Sequence, residues 1–161
     1  MNGFFRHAPL LLTLLVGAAC AGRAPSAPVP APADAAPAYR IVDPGAGRAL
    51  DVAELAGRAA AADVVFFGEQ HDDAGTHRLQ YALLDALAGR RDLVVLSLEM
   101  FERDVQPALD DYLAGRISEE EFLASARPWS NYATDYRPLV ELARERGWPV
   151  VAANVPRRYA S

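Results

Sequence analysis

One stretch constrains the fold more than any other: Asp63-Val64-Val65-Phe66-Phe67-Gly68-Glu69-Gln70-His71-Asp72-Asp73. Its β-branched and aromatic residues run without polar alternation, the pattern of a parallel strand buried on both faces. Gly68 offers a turn, and a carboxylate and an imidazole follow within three residues. Open α/β sheets bind ligands at the carboxyl ends of such strands. Glu69 and His71 are therefore candidate site residues, set against the plainer alternative that Asp72 or Asp73 only caps the next helix.

The remaining pattern supports an α/β fold with a parallel sheet, flanking helices and a helical insertion. Tyr39–Val42 reads as a short edge strand closed by Asp43-Pro44-Gly45, and Asp51 as the cap of an Ala-rich helix through Ala62. A helix from about Ala74 to Leu87 stops at Gly89. Asp92–Met100 is a second apolar strand ending in a carboxylate, Glu99. A helix over Val105–Leu113 and a second one opened by the Ser118–Glu121 capping box lead to the loop Arg127–Tyr132. A further helix, started by Thr134 or Asp135, ends at Gly147 before the third strand, Pro149–Asn154. Three parallel strands leave an open apolar edge, so the expectation is an incomplete domain lacking its C-terminal part.

Residues 1–19 have the form of a secretory signal peptide: Arg6 and His7, the apolar run Leu10–Val16, then Gly17-Ala18-Ala19. Cys20, the only cysteine, stands where a bacterial lipoprotein carries its lipid, although Gly17 occupies a position where Leu is usual. Lipidation at Cys20 is the expectation, with plain cleavage near Ala19 or Ala21 as the alternative. Residues 20–38 read as a Pro/Ala-rich tether, five of the twelve prolines lying between Gly22 and Ala38. Residues 39–161 form the folded domain. A lipid anchor and a spacer suit a membrane-tethered periplasmic domain, with a soluble periplasmic protein as the alternative. All sixteen basic residues are arginine, and the net charge of −5 argues against a nucleic-acid partner.

The chemistry-bearing residues gather at three predicted strand ends: Glu69 with His71, then Glu99, then Asn154 with Arg157. Glu69, His71 and Glu99 could ligate a divalent metal or act as acid and base, while Glu99 could instead pair with Arg103 or Arg127. His77 lies on the first long helix with Gln80, Tyr81 and Leu84 at helical spacing. Trp129, Tyr132 and Tyr136 cluster with Arg127 and Arg137, a set suited to a flat anionic ligand or to packing of the insertion. Tyrosine and histidine both ligate haem iron, and Cys-x-x-Cys-His is absent from the sequence, which excludes covalent attachment.

Several of these blocks together resemble one family. Gly68-Glu69-Gln70-His71-Asp72, Ser97–Glu102, Ala126–Tyr132, Thr134–Glu141 and Ala152–Arg157 are similar, in order, to ChaN-type lipoproteins of the haem-binding uptake group in the Tiki superfamily. The resemblance implies a lipid-anchored haem-binding protein of iron uptake rather than an enzyme, a homodimer with a shared haem pocket, and ligation by a tyrosine. Glu69, His71, His77, Glu99, Arg127, Tyr132 and Tyr136 are the candidate haem-binding residues. The alternative is a metal-dependent hydrolase of the Tiki or erythromycin-esterase-like type, with metal on Glu69, His71 and Glu99.

Overall fold

The computed structural model describes residues 39–160. The expected signal peptide, the tether and Cys20 lie outside the described residues. The chain opens on an antiparallel hairpin of β1 (Ile41–Asp43) and β2 (Arg48–Leu50), in which Val42 faces Ala49. Asp43 holds the turn: its Oδ1 accepts from the Gly45 and Ala46 amides at 2.9 and 3.1 Å. Asp51 then caps α1 (Val52–Ala60) through a reciprocal capping box with Glu54.

Asp73 caps α2 (Ala74–Ala88), its Oδ1 accepting from the Thr76 amide at 2.6 Å. The parallel pair comes from β3 (Leu96–Glu102) and β4 (Val150–Asn154), with Leu98 opposite Ala152 and Glu102 opposite Asn154 across an irregular register. Between them run α3 (Gln106–Leu113), α4 (Glu119–Ala126), a π-helical segment (Tyr132–Tyr136) and α5 (Arg137–Arg146). A parallel pair needs such a crossover, and here the helical pieces, with a 3-10 turn at Arg103–Val105, supply it. Ser118 and Glu121 form the anticipated capping box of α4, and Gly147 ends α5 in the left-handed region at φ 68°.

The core lies where the parallel pair meets these helices. Phe101, Leu109, Phe122 and Val140 are fully buried, joined by Met100, Tyr112, Tyr132, Leu139 and Trp148. Tyr112 stacks on Phe122 with ring centroids 4.9 Å apart and donates to Glu141, a carboxylate buried on α5 whose other oxygen lies 3.5 Å from Arg144. The donor and the cation make that buried charge tolerable. Among the described residues, no helix is long and apolar enough to cross a membrane.

The architecture is thus a mixed α/β fold with a parallel pair and flanking helices, as expected. Two details differ. Val64–Phe67 is not a strand: it makes no sheet pairing among the described residues, and Val64, Val65 and Phe66 are exposed. An apolar run becomes a strand only where a neighbouring edge takes up its backbone groups. The second strand begins later and runs two residues further than anticipated, to Glu102, which leaves Glu99 within the strand rather than at its end.

Candidate functional site

The loop between residue 68 and α2 carries the site. Glu69 is half-buried and accepts hydrogen bonds from three side chains. The Tyr136 hydroxyl and His71 Nδ1 (3.0 Å) donate to Oε1, and Gln80 Nε2 donates to Oε2 at 2.5 Å. Burial alone would push the Glu69 carboxyl up. The donors Tyr136, Gln80 and His71, with the charge of His77, outweigh burial and hold it below the ordinary glutamate value. The Tyr136 hydroxyl moves the opposite way, raised by burial and by its bond to the Glu69 carboxylate.

Helical geometry brings His77 to the same place. It sits in the first turn of α2, buried, three residues before Gln80, so that its Nδ1 meets Gln80 Oε1 at 2.9 Å. Its Nε2 lies 3.1 Å from the His71 carbonyl. Both ring nitrogens face acceptors, so both contacts are hydrogen bonds when the ring carries both protons. Glu69 at 3.7 Å and Asp135 at 3.9 Å flank it with carboxylates. Asn131 ties the π-helical segment to the same loop, its Nδ2 reaching the His71 carbonyl at 2.6 Å and Asp135 Oδ2 at 2.8 Å. Trp129 closes the group, with its ring 4.4 Å from His71 and 5.7 Å from Tyr136.

The structure therefore gathers Glu69, His71, His77 and Tyr136 as one constellation. The other candidates fall elsewhere. Glu99 is exposed on β3 and makes no hydrogen bond or ion pair among the described residues; neither Arg103 nor Arg127 pairs with it. The three-donor set Glu69, His71 and Glu99 is not assembled, and no group of three or more His, Cys, Asp or Glu is placed to hold a metal among the described residues. Tyr132 belongs to the core against Phe101, its hydroxyl buried without a partner. It packs inward because the π-helical turn directs Tyr132 and Tyr136 to different neighbours. Arg127 is engaged by Glu102 at 3.1 Å and Asp104 at 3.0 Å. Arg137, also noted beside the aromatics, is clamped bidentately by Glu119.

Arg127 nonetheless lines a shallow cavity of about 120 Å³ with Trp129, Met100, Glu102, Asn154 and Arg157. Trp129 is common to the cavity and to the His71 contact, so the two features adjoin. The anticipated convergence of strand ends is met in part: Asn154 and Arg157 join Glu102, not Glu99, with the Arg157 amide donating to Glu102 at 3.0 Å. Asp135 was legible only as a helix start, and its part in the site depends on the π-helical turn, which leaves no clear periodic trace.

A family model described as haem-binding uptake, Tiki superfamily, ChaN matches residues 55–161. The chain belongs to this haem-binding uptake family. Neither a curated protein nor a solved structure matches it. The ChaN match spans the whole constellation, from Glu69 to Tyr136, and the cavity beside it. The cavity is far below the roughly 300 Å³ at which ligand pockets usually begin, so it does not enclose a porphyrin. An aromatic face (Trp129), an exposed imidazole (His71) and two arginines (Arg127 and Arg157) adjoin at the surface, and this donor set suits a flat dianionic macrocycle.

Proposed function

We propose that this protein is a haem carrier of iron uptake, held at the outer membrane by a lipid on Cys20 and spaced from it by the Pro/Ala tether of residues 20–38. Membership of the ChaN family supports haem as the ligand. The observation that carries the reading is the exposed His71 ring, set by Glu69 and backed by Trp129, beside the arginine-lined cavity. When bound, haem would supply an iron centre and carboxylate arms. Trp129 would hold the ring, and Arg127 and Arg157 would meet carboxylates, with part of the Arg127 charge already committed to Glu102 and Asp104. A homodimer with a shared pocket, as the resemblance implies, would cover the open side of this surface.

Haemin titration of the purified full chain tests the ligand. Saturable quenching of Trp129 and Trp148 fluorescence with a Soret shift is expected; a folded protein that leaves haemin unshifted sinks the reading. Cys20→Ala tests the anchor, and is expected to move the protein from the membrane to the soluble fraction.

A further inference from the structure

We propose that the cavity at the carboxyl end of the β3–β4 pair is a binding site for a small free carboxylate. Arg127 and Arg157 grip the anion, Asn154 is a second polar partner, and Met100 and Trp129 form an apolar wall. The site goes beyond the haem reading and does not depend on it. The register sets Glu102 opposite Asn154, so the cavity lies outside the ends of parallel strands, where open α/β sheets hold ligands. Its volume of about 120 Å³ is too small for a macrocycle and matches an acid of about three carbons, at about 30 Å³ for each water displaced.

Arg127 is held there at a conformational cost. It ends α4 at φ 48° and ψ 49°, and it is the one non-glycine residue with positive φ among the described residues. Glycine is the usual residue in that left-handed conformation, and a residue before proline, as Arg127 is before Pro128, is ordinarily extended. Its ion pairs with Glu102 and Asp104, at 3.1 and 3.0 Å, both go through Nη2. Pairs made by so exposed a side chain return little stability. Nε and Nη1 make no hydrogen bond among the described residues. Strain kept at a residue that lines a cavity, with donors left over, points to a ligand.

The charge around the cavity favours an anion. Glu102 lines it, but its oxygens are taken: Oε2 accepts from the Arg157 amide and from Arg127, and Oε1 lies 3.7 Å from Arg157 Nε. The Arg157 amide first, then Arg127, outweigh burial and hold that carboxyl below the ordinary glutamate value, so it stays an ionised anchor for the arginines. Arg158 pairs with Asp104 at 2.7 Å, so three arginines meet two carboxylates and one positive charge is unmatched. The Arg157 guanidinium is 81% exposed and makes no hydrogen bond among the described residues, which leaves its fork for a carboxylate. Asn154, at the end of β4, likewise has a side-chain amide without a partner among the described residues. It can donate to, or accept from, a hydroxyl beside the carboxylate.

NMR titrations of the full chain with acetate, lactate and inorganic phosphate, at constant ionic strength in chloride, test the site. Lactate is expected to shift the Trp129 indole and Arg127 Nε–H resonances saturably, and acetate to bind more weakly because it offers Asn154 nothing. Arg127→Gly should weaken lactate binding at least about tenfold, yet leave the unfolding midpoint unchanged or higher, since glycine relieves the left-handed backbone. Asn154→Ala should bring lactate down to the affinity of acetate. A lowered midpoint in Arg127→Gly with lactate affinity intact would make Arg127 a structural residue and overturn the proposal. Equal shifts by phosphate and lactate, or no saturable shift by either acid, would overturn it too. Haemin carries the same carboxylate chemistry and is the second source to separate. Haemin affinity that falls in Arg127→Gly, in a chain that lactate leaves unshifted, would assign the arginines to the porphyrin arms instead. A chain that binds lactate but not haemin would keep the site and remove the haem reading alone.

Discussion

Glu69 shows how much one half-buried carboxylate can organise. Its two oxygens accept from Tyr136, His71 and Gln80, groups that come from the π-helical segment, the loop and α2 respectively. The folded carboxyl sits below the unfolded value, so its contribution to stability is complete above about pH 4.5 and is lost as pH falls through the lower, folded value. Tyr136→Phe removes one donor and should cost about 1.5–3 kcal/mol at neutral pH in chemical denaturation, the range for hydrogen bonds to charged groups. The same change should raise the Glu69 carboxyl, measured by NMR titration of its side-chain carbon, because burial is then less opposed. Tyr132→Phe should do the reverse to stability. Its hydroxyl is buried with no partner, so deleting it is expected to be neutral or to stabilise by about 1 kcal/mol. At this scale the sequence was readable where a residue type is unusual for its setting: Glu69 and His71 after an apolar run, His77 on an inward helix face. It was misleading where residue type was sufficient for two roles, since Tyr132 and Tyr136 are four positions apart and both buried, and only the three-dimensional turn leaves one hydroxyl unpartnered in the core and brings the other to Glu69.

Among elements, the helix ends were the most legible features, because capping depends on side chains within three residues of each other. Asp51, Asp73 and Ser118 all cap as their spacing implies. Asp73 matters most for the site, since the turn it secures contains His77. Asp73→Ala should cost about 1 kcal/mol and lower the hydrogen-exchange protection of the first turn of α2. Protection unchanged from wild type would mean that Gln80 and the His71 carbonyl hold His77 without the cap. Ser118→Ala should cost a similar amount, about 1 kcal/mol, and leave haemin affinity alone, because α4 joins the core and contributes no side chain to the constellation. Strand limits were less legible than helix caps. A strand's extent depends on the partner it finds, and the run to Glu102 follows from pairing with Asn154. That shift of a few residues exchanged Glu99 for Glu102 as the carboxylate at the strand end, and with it a metal-site pattern for an arginine-bound one.

Across the whole molecule, apolar surface is distributed unevenly. The helices between β3 and β4 enclose a well-packed core, whereas Val64, Val65 and Phe66 before the Glu69 loop, and Leu93 and Val95 before β3, stand exposed. Both exposed runs are the segments whose sequence most strongly suggests buried strands, and among the described residues they are neither paired in a sheet nor buried. Contiguous sequence of this kind is sticky wherever it remains uncovered. Phe66 is 94% exposed, so its ring contributes almost nothing to the packed core. Phe66→Ser should therefore leave the unfolding midpoint within about 0.5 kcal/mol of wild type while lowering the binding of a hydrophobic dye and raising solubility. A loss of several kcal/mol would show instead that Phe66 is covered in solution and that the run is part of a packed interface. The two outcomes separate cleanly because the neighbouring Glu69 constellation is held by polar contacts, and those do not include the Phe66 ring.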